Sequence, residues 1–379
     1  MKKKITFYST NPPEKGIFYP IAKIAKKKGF IVSFSENLKK RSNIGFYCFS
    51  EPEMKSTNVK INSKVSVIFL GGIDQGRSYW PNIWAKQPWN NFDLGFLPGK
   101  DWSNRWQLSS WFFKSRTKGG VFESGWPKTD ILKNKKLIKK KNKIIRKKYS
   151  IPNKGKNILY APGFECNEKQ TDVAKSVKNL NYHLIVKHWI SNKKENQDLW
   201  KRVEIANKKT NNLLKSNLSI VKPYENFIEI LPSADLIITD ESSVAYEALL
   251  LDIPTLSVSD WIMQRHEKAI PRYVNPAKIC ITTKKKDLTE KIRHILNNKS
   301  FYQKKIKKKK KQHFSNVGVS AKIIIEILNK YLKGKNLTKS KYYLKPMYEI
   351  STIKCYIFKL FNGLKKIKNF LIWIILKKT

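Results

Sequence analysis

Short apolar runs alternate with helix-spaced apolar faces along most of this chain. Residues 5–8, 30–34, 44–49 and 65–70 read as strands, with a helix over 17–28 between the first two. Further short strands are expected at 93–97 and 120–122. A helix over 133–149 then carries Leu137, Ile138, Ile144 and Ile145 among lysines, and PNKG at 152–155 breaks it. The alternation restarts beyond that break, with strands at 157–160, 183–187 and 218–221 and helices at 171–180 and 227–231. Such alternation predicts parallel sheets with helices on their faces. The expected fold class is therefore α/β, with two Rossmann-like domains over 1–150 and 151–339 around a nucleotide cleft, and a basic amphipathic C-terminal tail over 340–379.

The stretch 233–254, SADLIITDESSVAYEALLLDIP, carries the most chemistry. Leu236, Ile237 and Ile238 form a strand that stops at Thr239 and Asp240, where Asp, Glu and two serines supply turn and N-cap residues. Val244, Ala248 and Leu251 then recur at helical spacing. One helix face packs on a sheet, and the helix start meets the carboxyl edge, where open α/β sheets bind ligands. Ser242 and Ser243 at that place suit a nucleotide phosphate. Glu247, one turn beyond Ser243, reaches a ribose hydroxyl. The same pattern also fits an ordinary cap on a structural strand–helix unit. A strand at 254–258 and a helix at 287–296 follow.

Composition changes the picture by pointing to anionic partners. Lys and Arg total 77 against 28 Asp and Glu, a formal charge of +49. Lysine runs such as 139–141 and 307–311, mixed with Asn and Ile, also read as compositional drift. Nucleic acid is the weakest of the anionic partners, because no recognised module occurs and the basic residues are spread out. Cys48, Cys166, Cys280 and Cys355 lack zinc-site spacing, so no metal or cofactor is expected and a reduced, intracellular chain is. The first residues, MKKKITFYSTNPPEKG, lack the apolar core of a secretory signal.

The tail segment 351–379 sets Leu360, Leu364, Ile367, Leu371 and Ile374 near helical spacing beside Lys365, Lys366 and Lys368. Its apolar run at 370–376 falls far short of the roughly 20 residues a membrane span needs. An interfacial helix on an anionic leaflet is expected, which places the protein peripherally on the cytoplasmic face of the membrane. Docking on the N-terminal domain is the other reading. A loop after the strand at 65–70, GGIDQGRSYWPNIW, supplies Arg77, Tyr79, Trp80 and Trp84, and Trp89 follows. These aromatics suit stacking on a base or an acceptor, a membrane contact, or a packed lid.

Three segments in order, GWPKTDIL at 125–132, ILYAP at 158–162 and ADLIITDESSV at 234–244, resemble the CDP-glycerol glycerophosphotransferases of teichoic-acid and capsule synthesis. The resemblance covers roughly residues 65 to 258 and implies the GT-B architecture. It implies that Ser242 and Ser243 hold the CDP pyrophosphate, that Asp240 closes their turn, and that Lys187 and His188 lie near the donor phosphate. Trp189 stands where the family more usually has proline. His266, beside Arg265 in the loop after the strand at 254–258, is a candidate phosphate contact. The family's His-Gly step, whose His is the expected base, is replaced by Gly71-Gly72. Asp74 in the same loop is the candidate substitute base, with a backbone-bonding turn residue as the other reading.

The expected reaction is transfer of glycerol phosphate, or another polyol phosphate, from a CDP-linked donor to a membrane-held, lipid-linked or polymeric acceptor, with release of CMP. Two alternatives remain. One is a nucleotide-sugar glycosyltransferase or epimerase, since similar serine turns occur there. The other is a catalytically silent membrane- or nucleic-acid-binding protein, which the missing His would suit.

Overall fold

The computed structural model describes residues 3–9, 12–38, 40–49, 63–70, 73, 89–163, 165–166, 168–189, 197–240, 242–261, 279–353 and part of 356–367. Gly71, Gly72, Asp74, Arg77, Tyr79, Trp80, Trp84, Arg265 and His266 lie outside these residues.

Strands β1 (Lys4–Tyr8), β2 (Ile31–Ser35), β3 (Ser42–Phe49), β4 (Ser63–Leu70), β5 (Leu94–Leu97) and β6 (Val121–Glu123) form one parallel sheet in the order β2-β1-β3-β4-β5-β6. Strands β7 (Asn157–Tyr160), β8 (His183–Val186), β9 (Leu218–Ile220), β10 (Leu236–Thr239), β11 (Thr255–Val258) and β12 (Ile281–Thr283) form a second parallel sheet in the order β12-β11-β10-β7-β8-β9. In this second sheet the winding reverses between β7 and β10. Open α/β sheets bind ligands at such a reversal, beyond the carboxyl ends of the strands, which here are β7 and β10.

Every residue of β5, β7, β8, β10 and β11 is buried. Parallel strands covered on both faces require such unbroken apolar runs. In the first sheet, Phe7, Phe46, Phe69, Phe96 and Phe122 come from five strands and form a row of rings 4.8 to 6.0 Å apart. Trp89 is fully buried in this core, and a Cβ on Gly95 would stand 2.7 Å from its ring. That placement removes Trp89 from the set of candidate stacking residues. In the second sheet, Ile158, Leu184, Leu236 and Leu256 face the helices Lys169–Asn179 and Leu288–Asn297. Leu159, Ile185 and Ile237 face the opposite layer with Ile230 and Ala248.

Two helices sit with a different core from the one their position in sequence suggests. The helix Lys135–Lys148 precedes the break at 152–155, yet only its Ile138 lies in the first core, and its Ile145 lies in the second. Its Asn142 Nδ2 donates to Glu229 O at 2.9 Å and to Ser233 Oγ at 2.7 Å. The helix Ser320–Leu332 returns to the first core with Ala321, Ile324 and Leu328. Asp130 caps it, accepting from Ser320 N at 2.9 Å and Ala321 N at 2.7 Å. The chain then extends the first sheet at its edge. Glu123 N donates to Tyr342 O at 2.9 Å and Leu344 N to Val121 O at 2.9 Å.

Candidate nucleotide site

The end of β10 is bound to the end of β7 across the point where the winding reverses. Thr239 Oγ1 donates to Ala161 O at 2.6 Å. Asp240 Oδ1 accepts from Gly163 N at 2.6 Å, and Oδ2 lies 3.0 Å from Lys169 Nζ. The Asp240 carbonyl accepts from Ser242 N at 2.9 Å and so closes the turn that presents the serines. Gly163 passes tightly here, since a Cβ on it would stand 3.2 Å from Asp240 Oδ1.

Ser242 is buried and its Oγ accepts weakly from Val244 N at 3.4 Å, whereas Ser243 is half-buried and makes no side-chain cap bond. Packing, more than capping, fixes this turn. The helix Val244–Leu249 is six residues long and is buried on two sides. Ala248 packs in the second core with Val244 and Leu251 against it, as the spacing predicts, while Ala245, Tyr246 and Leu249 pack in the first. The serine turn thus stands where the two halves meet.

Lys187 and His188 follow β8 on the same edge of the sheet, on the other side of β7 from this turn. Lys187 N donates to Tyr160 O at 3.0 Å, and its ammonium donates to Pro223 O at 2.8 Å. Burial, then the charge of Lys128, push its pKa down from 10.5 to about 8. His188 is 5% exposed, and its Nε2 lies 2.6 Å from Gln170 Oε1. Gln170 Nε2 donates to Asn207 Oδ1 and Thr210 Oγ1, each at 3.0 Å, which turns the amide carbonyl toward His188. His188 therefore donates through Nε2–H and keeps Nδ1 as an acceptor. Burial and Lys187 push the imidazole down to about 4, so it is uncharged at neutral pH. Positive charge near the donor phosphate rests with Lys187, and His188 offers hydrogen bonding.

Glu247 is already engaged. Its Oε1 lies 2.7 Å from Lys128 Nζ, with side chains 9% and 14% exposed. Lys128 belongs to the 3-10 helix Pro127–Lys133 of the first half, inside the GWPKTDIL segment. Beneath the site, Tyr160 OH donates to Glu165 Oε2 at 2.7 Å and Gln170 N donates to Oε1 at 3.3 Å. Burial nevertheless pushes the Glu165 carboxyl up to about 6. Sequence reasoning missed Lys128, Glu165, Lys169 and Gln170. Lys128 lay within a segment already singled out, but a single lysine among 77 basic residues carries no local pattern.

The structure therefore gathers Asp240, Ser242, Ser243, Glu247, Lys187 and His188 at the switch point. Asp74, Arg77, Trp80 and His266 are outside the described residues. Among the described residues, no group of three or more His, Cys, Asp or Glu is placed to hold a metal ion.

Two parallel α/β sheets, with a polar cluster at the winding reversal of the second, define a GT-B-like architecture. The chain belongs to the CDP-Glycerol:Poly(glycerophosphate) glycerophosphotransferase family, whose model matches residues 108–329 and spans all three segments quoted above. Its fold is similar to that of the wall teichoic acid polymerase TagF, in a variant soaked with CDPG, at a TM-score of 0.63 and 18% identity over 88% of this chain and 89% of that chain. It is also similar to a putative UDP-N-acetylglucosamine 2-epimerase from Listeria monocytogenes, at 0.54 and 13% over 88% and 98%. The UDP-GlcNAc 2-epimerase from Neisseria meningitidis, bound to UDP-GlcNAc, gives 0.54 and 16% over 87% and 100%. At these identities the likeness is one of fold. No curated protein matches the sequence.

Proposed function

We propose that the protein transfers glycerol phosphate from CDP-glycerol to a hydroxyl of a lipid-linked or polymeric acceptor held at a membrane. The observation that carries this reading is the placement of Ser242 and Ser243 after β10 and of Lys187 after β8, along the carboxyl edge of one sheet and within the segment that matches the family. The acceptor oxygen attacks the β-phosphorus, the bond from that phosphorus to the bridging oxygen breaks, and CMP leaves with the bridging oxygen. Ser242 and Ser243 donate hydrogen bonds to the departing nucleotide phosphate. Lys187 balances its charge, His188 adds a hydrogen bond and Glu247 orients the ribose. Asp74 is the candidate acceptor of the hydroxyl proton. Phosphoryl transfer depends mainly on position and charge, so the base carries a small share of the barrier.

The membrane side of this reading is supported by the tail. Ile353, Tyr356, Ile357, Leu360, Phe361, Leu364 and Ile367 follow helical spacing and are each more than half exposed. Lysines flank them. Among the described residues no helix is long and apolar enough to cross a membrane. A peripheral attachment to an anionic cytoplasmic leaflet fits this arrangement.

The test is a transfer assay that follows CMP release from CDP-glycerol in the presence of lipid-linked acceptor, with CDP affinity measured by calorimetry. Ser242→Ala combined with Ser243→Ala is expected to weaken CDP binding by about 1–3 kcal/mol, the scale of lost hydrogen bonds to a charged group. Unchanged affinity in the folded double variant removes the donor site from this place. Turnover of a UDP-sugar without CMP release from CDP-glycerol replaces this reading with the nucleotide-sugar one.

A further inference from the structure

Lys128 and Glu247 meet where the two halves join. Glu247 lies one turn beyond Ser243, and Lys187 feels both charges, Lys128 lowering its proton affinity and Glu247 raising it. The ion pair is short at 2.7 Å and almost dry, with side chains 14% and 9% exposed. Only one carboxylate oxygen takes part in it. Glu247 Oε2 is buried and has no hydrogen-bond partner among the described residues. A buried carboxylate oxygen without a donor is costly and rare in folded proteins. The cluster therefore holds two ammonium groups, one from each half, and a carboxylate that is only half satisfied.

We propose that Lys128 is a diphosphate-binding residue of the donor site, held in reserve by Glu247. When a nucleoside diphosphate settles against Ser242 and Ser243, the Lys128 ammonium transfers from Glu247 to phosphate oxygens. Glu247 then accepts from the ribose hydroxyls with both of its oxygens. Charge requires the exchange. A diphosphate beside an ionised Glu247 is repelled unless cations lie between them, and Lys128 and Lys187 supply one from each half. The ribose also gives Oε2 the donor it lacks. The bound diphosphate then joins the halves in place of the ion pair. The proposal rests on the donor-site reading above.

The experiment is calorimetric titration of the full chain with inorganic pyrophosphate and with CDP, counting only the pyrophosphate that CDP displaces. Pyrophosphate has no ribose, so it reads the phosphate contacts alone. Lys128→Gln is expected to weaken displaceable pyrophosphate binding about tenfold, the scale of one charge-assisted hydrogen bond, and Lys128→Arg to retain most of it. Glu247→Gln is expected to tighten pyrophosphate, because a competitor for Lys128 is gone, while weakening CDP. A purely structural ion pair gives losses of the same sign for both variants and both ligands. Equal pyrophosphate affinity in wild type and Lys128→Gln overturns the proposal, and so does a loss of pyrophosphate affinity in Glu247→Gln. Should Lys128→Gln fail to fold, the Glu247→Gln result decides alone, and unchanged affinity there also overturns it. Absence of CDP binding to wild type overturns the donor-site reading together with the exchange. CDP binding that is insensitive to Lys128 overturns the exchange only.

Discussion

Lys169 Nζ and Asp240 Oδ2 lie 3.0 Å apart with side chains only 1% and 8% exposed, and this pair fastens the helix after β7 to the turn after β10. Removing one member strands the other charge in a dry site, which costs about 3–5 kcal/mol. Asp240→Ala is therefore expected to lower the unfolding free energy by about that amount in a urea titration. Changing both residues at once, Lys169→Met with Asp240→Leu, should recover a large part of it. A single-variant loss below about 1 kcal/mol, the range of exposed pairs, shows that the pair does not hold the turn.

Donor binding should depend on pH above neutrality. Lys187 has its pKa pushed from 10.5 down to about 8, so its ammonium is lost two pH units or more before that of an ordinary lysine. A phosphate ligand favours the charged form and takes up a proton on binding. CDP affinity is thus expected to fall as pH rises past about 8, by at most tenfold per pH unit. Lys187→Gln should flatten that profile. The same profile in both proteins removes Lys187 from the site.

Acid should destabilise the protein before its exposed carboxylates titrate. His183 and His188 are both pushed from 6.5 down to about 4 by burial, with neighbouring cations adding to the shift. The unfolded chain then binds protons that the folded one refuses, so stability falls as pH drops from 6.5 toward 4. Each histidine contributes about 3 kcal/mol over that window. Glu165, pushed up to about 6, acts in the opposite sense between 6 and 4.5 and offsets part of the loss. Melting temperature followed against pH is expected to fall below 6.5, and less steeply in His188→Gln. A flat curve down to pH 4.5 contradicts the assignment of both histidines as buried and neutral.

The tail calls for a cut that spares the sheet edge. Residues 342–344 hydrogen-bond to β6, and Met347 N donates to Ser110 Oγ at 2.5 Å, so truncation at 339 would damage the first sheet. A chain ending at Ile350 keeps those bonds and loses the exposed apolar face. Sedimentation with liposomes rich in anionic lipid is expected to pellet the full chain and leave the shortened one in solution, with salt releasing part of the full chain. Equal pelleting of the two would exclude the segment beyond 350 as the anchor.

The strands buried on both faces were legible in the sequence because parallel sheets demand short unbroken apolar runs there, whereas β12, with no buried residue, was not expected. ILY before Ala161 and LIIT before Asp240 are such runs. The serine turn was legible for a related reason, since a strand that ends in Asp and two serines needs local polar partners. Helices whose burial is sparse were not legible. Lys299–His313 buries only Ile306 among fifteen residues, and Lys100–Ser109 shows Trp102 and Trp106 as its large apolar anchors. The helix Ser320–Leu332 was not expected at all, and the helix Lys135–Lys148 was expected without its partner, because helical spacing states that a face is apolar without stating which sheet it covers. Lys128 and Lys169 were hidden by number, and each acquires a role only through a carboxylate distant in sequence.

The return of Ser320–Leu332 and of residues 342–344 to the first sheet sets an order of events during synthesis. The second sheet draws its strands from one continuous stretch, 157–283, and finds its covering helices nearby. The first sheet has its last strand by residue 123 but waits for a helix and an edge segment made some two hundred residues later. The half that leaves the ribosome first is thus the half completed last. Until then the face that Ala321, Ile324 and Leu328 will cover is a sticky apolar surface on an emerging chain, a natural client for a holding chaperone.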